Sequence, residues 1–224
     1  MSIGMDEKAE EIYKASTASI GIIGLEEVVN MMKYKDRKQS KLNIVNHLKK
    51  IVDDAIINYN HLYSLYGSPA ESIIYRLQNI NRNDYGVVEG VTSRSYMTNS
   101  FHIPVWEDIT VPDKIDEEAD FHQIVTGGKI SYTEMKYNTD SSVLLQAIDY
   151  AMSKGMYYGV NIISSTCEDC GNNGDFQGSC PKCNSHNVLV VARTCGYLGF
   201  AQINGETRYN PGKEQEVKDR VKHI

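Results

Sequence analysis

Apolar residues recur every three or four positions through much of the first 80 residues, a spacing typical of amphipathic helices. We predict two helices within residues 6–34, separated by a close-packed turn at residues 20–25, where Ile-Gly-Ile-Ile-Gly-Leu interrupts the pattern. A longer amphipathic helix is predicted over residues 41–66. The pattern therefore predicts that the first 80 residues are largely helical.

The second segment of the chain mixes strand-like and helix-like patterns. A helix is predicted over residues 70–79, with Ser68 in the capping position and Pro69 in the first turn. Residues 85–106 are predicted to be loop and extended structure, and residues 108–118 an acidic loop. A strand, a capped helix and a buried strand are then predicted at residues 129–135, 141–154 and 157–163. Alternating strands and helices favour an α/β fold.

Charge and composition exclude several classes of protein. The 224 residues carry a net charge of −6, which argues against a nucleic-acid partner held by clustered Lys and Arg. We find no apolar run of the roughly 18 residues that a membrane span needs, and no basic and apolar leader at the N-terminus. These features predict a cytoplasmic protein without a membrane or nucleic-acid partner.

Four of the five cysteines form two CxxC pairs, which are separated by nine residues: Cys167, Cys170, Cys180 and Cys183. Each pair presents two thiolates to one small volume, and a tetrahedral thiolate set selects zinc or iron. Because protein ligands fill all four positions, such a site is structural. The alternatives are two disulfides, four inert thiols, or a zinc ribbon that binds nucleic acid; residues 171–179 contain no Lys or Arg for the last of these.

A glycine follows the metal motif in Arg193-Thr194-Cys195-Gly196-Tyr197-Leu198-Gly199. A radical on the α-carbon of glycine is delocalised into the two flanking amides, and this planar geometry suits a residue without a side chain. Read from these residues alone, Gly196 is either a radical site or part of a tight turn.

Taken together, these motifs resemble the large subunit of the anaerobic, oxygen-sensitive class III ribonucleotide reductases. The resemblance extends over nearly the whole chain. It rests on segments at residues 19–26, 68–72, 76–77, 96–102, 127–128 and 157–161, the two CxxC pairs, and residues 193–199, 210–218 and 220–223.

The resemblance implies a radical mechanism. Gly196 would carry the glycyl radical, and the four cysteines of the CxxC pairs would hold zinc. A separate activase, using S-adenosylmethionine and an iron–sulfur cluster, would remove a hydrogen from the glycine. The glycyl radical would then generate a cysteine thiyl radical, which abstracts the ribose 3′ hydrogen of a ribonucleoside triphosphate. The 2′ hydroxyl would leave as water, with formate or a dithiol as the reductant that yields the deoxyribonucleotide. The family fold is a ten-stranded α/β barrel, and the assembled enzyme is expected to be a homodimer.

The chain departs from the family pattern in one respect. No cysteine precedes Cys167, so the thiyl cysteine is missing. We interpret the chain as the C-terminal part of a split or truncated reductase, which needs an upstream half and has no reductase activity alone. The expected domains are half of the barrel at residues 1–165, the four-cysteine zinc module at 166–190, and the radical loop and tail at 191–224.

Two further segments are candidates for the substrate site. Backbone N–H groups and hydroxyls of Ser68, Ala70, Glu71 and Ser72 would bind the substrate phosphates, as a similar loop does in ribonucleotide reductases. An ordinary capped helix is the alternative. By resemblance, Thr98, Asn99 and Ser100 would lie near the active cavity. The charged tail at residues 213–222 is predicted to be a solvated helix that closes over the glycine loop.

Two other functions compete with the reductase. A different glycyl-radical lyase would lack the preceding CxxC pairs. A non-catalytic zinc-binding interaction module, or a spare glycyl-radical domain that replaces a damaged loop in another chain, would not need most of residues 1–160.

Overall fold

The computed structural model describes residues 7–194 and 196–223. The helices of this part are α1 (Glu7–Ala15), α2 (Leu25–Met32), α3 (Arg37–Tyr59), α4 (Ile73–Tyr85), α5 (Val111–Ile124), α6 (Ser141–Ser153) and α7 (Pro211–Asp219). The strands are β1 (Thr17–Ile22), β2 (Leu62–Gly67), β3 (Ser131–Met135), β4 (Tyr158–Ile162), β5 (Ser164–Cys167), β6 (Asn173–Gly174), β7 (Val188–Arg193), β8 (Leu198–Ile203) and β9 (Glu206–Thr207).

These strands form two parallel pairs and one antiparallel sheet. β1 pairs with β2 and β3 with β4, and each pair is joined by a helical crossover, as parallel strands require. The other strands form a five-stranded antiparallel sheet in the order β6-β5-β7-β8-β9. The predicted α/β fold is thus confirmed, and an antiparallel module follows it.

Two strands lie where we predicted other structure. Part of the predicted turn at residues 20–25 belongs to β1, and the predicted helix over residues 41–66 ends at Tyr59, before β2. The helix ends because Asn60 adopts a left-handed conformation, with φ of 47°. Gly21 within β1 leaves room for the Ser68 Oγ, which would have to move if position 21 carried a Cβ atom.

Two helix boundaries also differ from the prediction. α4 begins at Ile73 with Ser72 as its N-cap residue, so the predicted capping role of Ser68 and the first-turn position of Pro69 were wrong. The acidic loop predicted at residues 108–118 was also wrong, because α5 begins there. The Thr110 hydroxyl caps α5 by accepting the Asp113 N–H, and a proline occupies its first turn.

The core consists of several packed clusters. In the first, α3 and α5 pack against β2 through Val45, Val52, Leu65 and Phe121, and the ring of Phe121 stacks on Phe101 at 5.2 Å. A second cluster joins α5 and α6 to β3 and β4, and a third lies in the antiparallel sheet. In the part of the chain described, no helix combines the length and apolar character needed to cross a membrane.

His122 in α5 is a buried histidine whose hydrogen bonds to Tyr157 and Ser131 fit the uncharged imidazole ring. Its Nδ1 atom accepts the Tyr157 N–H at 3.3 Å, and its Nε2 atom lies 2.9 Å from the Ser131 Oγ. Burial lowers the pKa of His122 to about 4, although the Glu118 carboxylate favours the charged ring. A proton on Nδ1 would remove the acceptor for Tyr157.

We therefore expect stability to fall in acid through His122. Between about pH 6.5 and pH 4 the unfolded histidine binds a proton that the folded one excludes, so folding loses free energy as the pH falls. In His122→Asn, the decrease between pH 7 and pH 4 should be smaller by on the order of 2–3 kcal/mol. Urea unfolding at each pH measures this difference, and exposed His47→Asn is the control; equal slopes for His122→Asn and wild type would contradict it.

Candidate functional site

The four cysteines of the two CxxC pairs come together beside the antiparallel sheet. Their Sγ atoms all lie within 4.8 Å of one another. The distance from Cys167 Sγ to Cys183 Sγ is 3.6 Å, as is that from Cys170 Sγ to Cys180 Sγ. Both distances exceed the roughly 2.05 Å of a disulfide, and the four thiols are free. This cluster could hold a metal such as zinc.

The two CxxC pairs have the same local geometry. In the first, the Gly171 N–H donates to the Cys167 carbonyl at 2.9 Å; in the second, the Asn184 N–H donates to the Cys180 carbonyl at 2.8 Å. Both Gly171 and Asn184 have left-handed backbone conformations. Each pair is therefore closed by an equivalent tight turn, which directs its two thiols to one point.

Backbone donors also favour the thiolate form of one ligand. Desolvation raises the pKa of Cys180, but hydrogen bonds from the N–H groups of Cys183 and Lys182 and from the thiols of Cys170 and Cys183 together lower it below the ordinary value. The Lys182 N–H lies 3.4 Å from the Cys180 Sγ. Since thiolates are the form that binds metal, the turn favours metal binding.

The antiparallel sheet carries both the four-cysteine cluster, which begins at the end of β5, and Gly196, which lies between β7 and β8. Gly196 lies in the turn that joins β7 to β8, where the Thr194 N–H donates to the Tyr197 carbonyl at 3.1 Å. Cys195, which belongs to the predicted motif, lies outside the described residues. A Cβ atom on Gly196 would have the Tyr132 hydroxyl as its nearest neighbour, at 3.9 Å. A larger residue would therefore fit at position 196, so the space in the turn does not explain why this residue is glycine.

The glycine turn contacts the candidate phosphate loop at residues 68–72. The Tyr197 hydroxyl donates to the Glu71 carboxylate at 2.9 Å. The Ala70 N–H donates to the Asn99 side-chain oxygen at 2.8 Å, which connects the same loop to the candidate cavity residues. Three segments that are distant in sequence thus meet at one place in the fold.

Within these segments the individual residues have different surroundings. Ser68 packs against β1 at Gly21, and Ser72 precedes α4 without a side-chain capping bond. Because Asn99 takes the Ala70 N–H, that group is already engaged here. Ser100 has a left-handed φ of 50°, and its buried Oγ has no hydrogen-bond partner among the described residues.

Thr98 is held by a buried carboxylate from α2. Glu27 accepts the Thr98 N–H at 2.8 Å and the Thr98 hydroxyl at 2.6 Å. Burial raises the pKa of Glu27, and the two bonds from Thr98 lower it in part.

Removing this acceptor should be costly. Glu27→Ala leaves two buried donors of Thr98 without their partner, so we expect a loss of about 2–4 kcal/mol in unfolding free energy. Glu27→Gln keeps one acceptor oxygen and should lose less. Chemical denaturation of both variants measures the difference, and equal losses would contradict the role given to the hydrogen bonds.

The charged tail was predicted to be solvated, and this prediction was wrong for its key residues. Lys213 and Glu216 in α7 are 1% and 4% exposed, and they form an ion pair at 2.9 Å. They line a cavity of about 60 Å³ behind the glycine turn. Other polar residues of this cavity include Tyr132, Glu134, Asn161, Arg193 and Arg220.

Sequence reasoning missed this polar cluster. The i, i+4 spacing of Glu216 and Arg220 suggests an exposed ion pair as readily as a buried one. His102 and His223 also line the cavity; His102 Nε2 lies 2.8 Å from the Ile130 carbonyl, and His223 Nδ1 lies 3.1 Å from the Ile109 carbonyl. Both rings thus bond to backbone oxygens.

The part of the chain that the structure describes combines an α/β fold with an appended four-cysteine module and a glycine turn. A family model described as anaerobic ribonucleoside-triphosphate reductase matches residues 2–223. The chain belongs to the anaerobic ribonucleoside-triphosphate reductase family.

Individual relatives agree with this assignment. The chain is 35% identical to the anaerobic ribonucleoside-triphosphate reductase of Escherichia coli K12 over 240 residues, covering 99% of this chain and 33% of the relative. It is 36% identical to that of Enterobacteria phage T4 over 230 residues, covering 97% and 37%. The chain thus spans about a third of the length of these relatives, and it corresponds to their C-terminal part.

Solved structures show the same fold. The anaerobic ribonucleotide reductase from Thermotoga maritima with glycerol in the active site aligns with a TM-score of 0.68 at 18% identity, covering 83% of this chain and 31% of that one. The structure of that reductase in complex with dATP and CTP aligns with a TM-score of 0.67 over 90% of this chain and 32% of that one, also at 18% identity.

Proposed function

We propose that this chain is the radical-bearing C-terminal part of an enzyme that reduces ribonucleoside triphosphates to deoxyribonucleotides without oxygen. The observation that carries the proposal is the placement of Gly196 in a turn of the sheet that also carries the four-cysteine cluster. The family match over residues 2–223 supports the same reaction. The contact between Tyr197 and Glu71 supports a substrate loop beside the radical turn.

Gly196 is the proposed radical residue. A separate activase with S-adenosylmethionine and an iron–sulfur cluster removes one α-hydrogen, and the remaining electron is delocalised into both neighbouring amides. The exposed side of this turn supports access for such a partner, since Gly196 and Tyr197 are both exposed. The radical would then generate a thiyl radical on a cysteine, which abstracts the ribose 3′ hydrogen. The 2′ hydroxyl leaves as water, formate or a dithiol supplies the two electrons of the reduction, and the cysteine returns a hydrogen to the 3′ carbon.

Zinc in the four-cysteine cluster is proposed as a structural ion. Four thiolates would fill its tetrahedral coordination, so no position remains for a substrate. The ion would fix the two CxxC turns against β5 and the segment before β7. This would support the β7–β8 turn that carries Gly196.

The proposed substrate site lies where the three segments meet. Ser68, Ala70, Glu71 and Ser72 would bind the triphosphate near the start of α4, where backbone N–H groups and the helix dipole favour anions. Thr98, Asn99 and Ser100 would form the adjoining wall. The bond from Ala70 to Asn99 supports a common site, although phosphate binding through the Ala70 N–H would require that bond to change.

An upstream portion of the reductase is the proposed partner. The thiyl cysteine must come from it, because no cysteine precedes Cys167 in this chain. The two-stranded parallel sheets support this partnership: such sheets are normally buried on both faces within larger sheets. Here Ile20 of β1 and Leu62 of β2 are 43% and 51% exposed. Added strands would complete the ten-stranded barrel, and two assembled copies would form a homodimer.

A spare glycyl-radical domain or zinc-binding interaction module is the second candidate. The antiparallel sheet supports it, because this sheet has its own cluster of buried residues around Cys167, Cys180 and Val190. If this candidate is right, residues 164–223 would replace the corresponding part of another reductase chain, and most of residues 1–160 would be dispensable.

Anaerobic electron paramagnetic resonance tests the main proposal. The chain is mixed with activase, S-adenosylmethionine and a reductant, with and without an upstream portion of a related reductase. Because one α-hydrogen remains on a glycyl radical, a doublet is expected, and glycine deuterated at the α-carbon should collapse it. Turnover of a ribonucleoside triphosphate should require the upstream portion. Absence of the doublet in every mixture of folded, zinc-loaded chain would overturn the proposal.

A further inference from the structure

Arg220 lies just after α7, with its side chain 8% exposed behind the glycine turn. Its Nη1 atom lies 3.3 Å from the Arg193 carbonyl oxygen, and its Nη2 atom lies 3.5 Å from the Thr194 carbonyl oxygen. These are two consecutive carbonyls on the segment that leads to Gly196. One buried guanidinium thus donates to the backbone at both positions.

Two carboxylates hold this guanidinium in place. Arg220 Nη1 lies 3.3 Å from Glu134 Oε1, and Nη2 lies 3.1 Å from Glu216 Oε1. Burial opposes the charge of Arg220, but the two carboxylates outweigh it and raise the pKa of the guanidinium above its ordinary value. Lys213, also paired with Glu216, balances the second carboxylate. The group is therefore fixed as well as charged.

The same segment is held from another side by Asn161 in β4. The Arg193 N–H donates to the Asn161 side-chain oxygen at 2.8 Å, and the Asn161 amide donates to Glu134 at 2.6 Å. Glu134 thus links Asn161 and Arg220. The N–H of Arg193 and the two carbonyls that follow are all engaged by buried side chains from β4 and the end of α7.

We propose that Arg220 is a positioning residue for the radical turn: it fixes the backbone at Arg193 and Thr194, and so holds Gly196 at a set place near the Tyr132 hydroxyl. The expected effect of Arg220 on catalysis rests on the proposed function. The structural part of the inference is that Arg220 keeps the backbone of the turn in one conformation, and this part does not depend on the proposed function. Radical transfer depends on the distance between the two reacting positions, so a displaced turn should slow the transfer.

Arginine suits this position better than lysine. A guanidinium has five donors in a planar fork, so it can bond two carbonyls and two carboxylates together, whereas an ammonium is a compact point charge. Arg220→Lys keeps the positive charge between Glu134 and Glu216 but loses the fork. Lys218→Gln is the matched control, because Lys218 lies in the last turn of α7, two residues before Arg220. Its side chain is 60% exposed and pairs only with Glu214 in the described part.

The test measures turn order and catalysis separately. Amide hydrogen exchange is followed for residues 188–199 in the full zinc-loaded chain. In Arg220→Lys, exchange there should rise about tenfold, the effect of losing one charged hydrogen bond, while α3 and the zinc content stay unchanged. With the upstream portion present, kcat should fall about 100-fold with KM for the ribonucleoside triphosphate unchanged. Lys218→Gln should match wild type in both measurements.

The possible failures are distinguishable. Wild-type exchange of residues 188–199 in folded Arg220→Lys would overturn the inference whether or not a radical forms. A raised exchange with unchanged kcat would overturn the catalytic role of the positioning. Absence of any radical in wild type would overturn the proposed function, while the exchange measurement would still decide the structural inference. If Arg220→Lys does not fold, Glu134→Gln replaces it, since it removes one anchor of Arg220; unchanged exchange in that variant would overturn the inference.

Discussion

Gly196→Ala is expected to yield a folded, zinc-binding chain that gives no glycyl-radical doublet and, with its upstream portion, no turnover. The structure indicates that this substitution leaves the packing of the turn unchanged, so its effect should be on the radical. A Cβ atom at position 196 would meet the Tyr132 hydroxyl only at ordinary van der Waals distance, 3.9 Å. The space around this position therefore admits the side chain of alanine. The loss should therefore come from the α-carbon, where a methyl group opposes the planar, delocalised radical.

The measurement is paramagnetic resonance beside thermal unfolding of the same samples. Gly199→Ala is the matched control in the same motif: its Cβ would lie 3.3 Å from the Tyr197 ring, which a small ring movement accommodates. This control should retain the doublet. A doublet of wild-type intensity in Gly196→Ala would show that the radical resides on another residue.

Loss of the metal is expected to have the largest effect on structure. Structural zinc in four-thiolate sites contributes about 10–16 kcal/mol of apparent binding free energy, which is comparable to the whole stability of a typical domain, about 5–15 kcal/mol. Cys180→Ser removes one of the four proposed ligands, a side chain fully buried in the same cluster as Val188 and Val190. We expect this variant to lose zinc and to lose protection from hydrogen exchange through β5, β7 and β8.

Because β7 and β8 flank Gly196, the doublet should disappear with the metal even though the glycine is intact. Zinc content by mass spectrometry and exchange by peptide mapping measure the two effects together. Cys195→Ser is the control, since it removes a cysteine from outside the two CxxC pairs and should keep the zinc. Full protection of β7 and β8 after chelation would show that the buried residues of this sheet suffice without metal.

The sequence predicted best those features that depend on local spacing. Each CxxC pair forms its own tight turn, which brings its two thiols together. The metal motif could therefore be predicted without knowing the rest of the fold. The helix predicted over residues 141–154 and the strand predicted over residues 129–135 were likewise readable: α6 begins at Ser141 with Asp140 as its cap, and β3 ends at Met135. β1 and β2 were missed because each is short and is stabilised by a distant partner, so the helical periodicity around them dominated the pattern.

The missed part of the candidate site depends on tertiary contacts. Lys213, Glu216 and Arg220 have the sequence of a surface helix, and only packing against Glu134 and the turn before Gly196 buries them. Glu134 and Asn161 belong to neighbouring strands whose pairing was not predicted. A signal was nevertheless present: charges of both signs at i, i+3 and i+4 spacing can neutralise one another and become buried together.

The strand pairing also has a consequence for the order of folding. Ser19 in β1 and Ser64 in β2 are paired across 45 residues, so closing that contact carries a large entropic cost. β7 and β8 are joined by one short turn, and such hairpins form within microseconds. Chains rich in local contacts fold faster than those dominated by distant ones. The sheet that carries Gly196 should therefore be able to form as an early folding unit, before the parallel strands around it have found their partners.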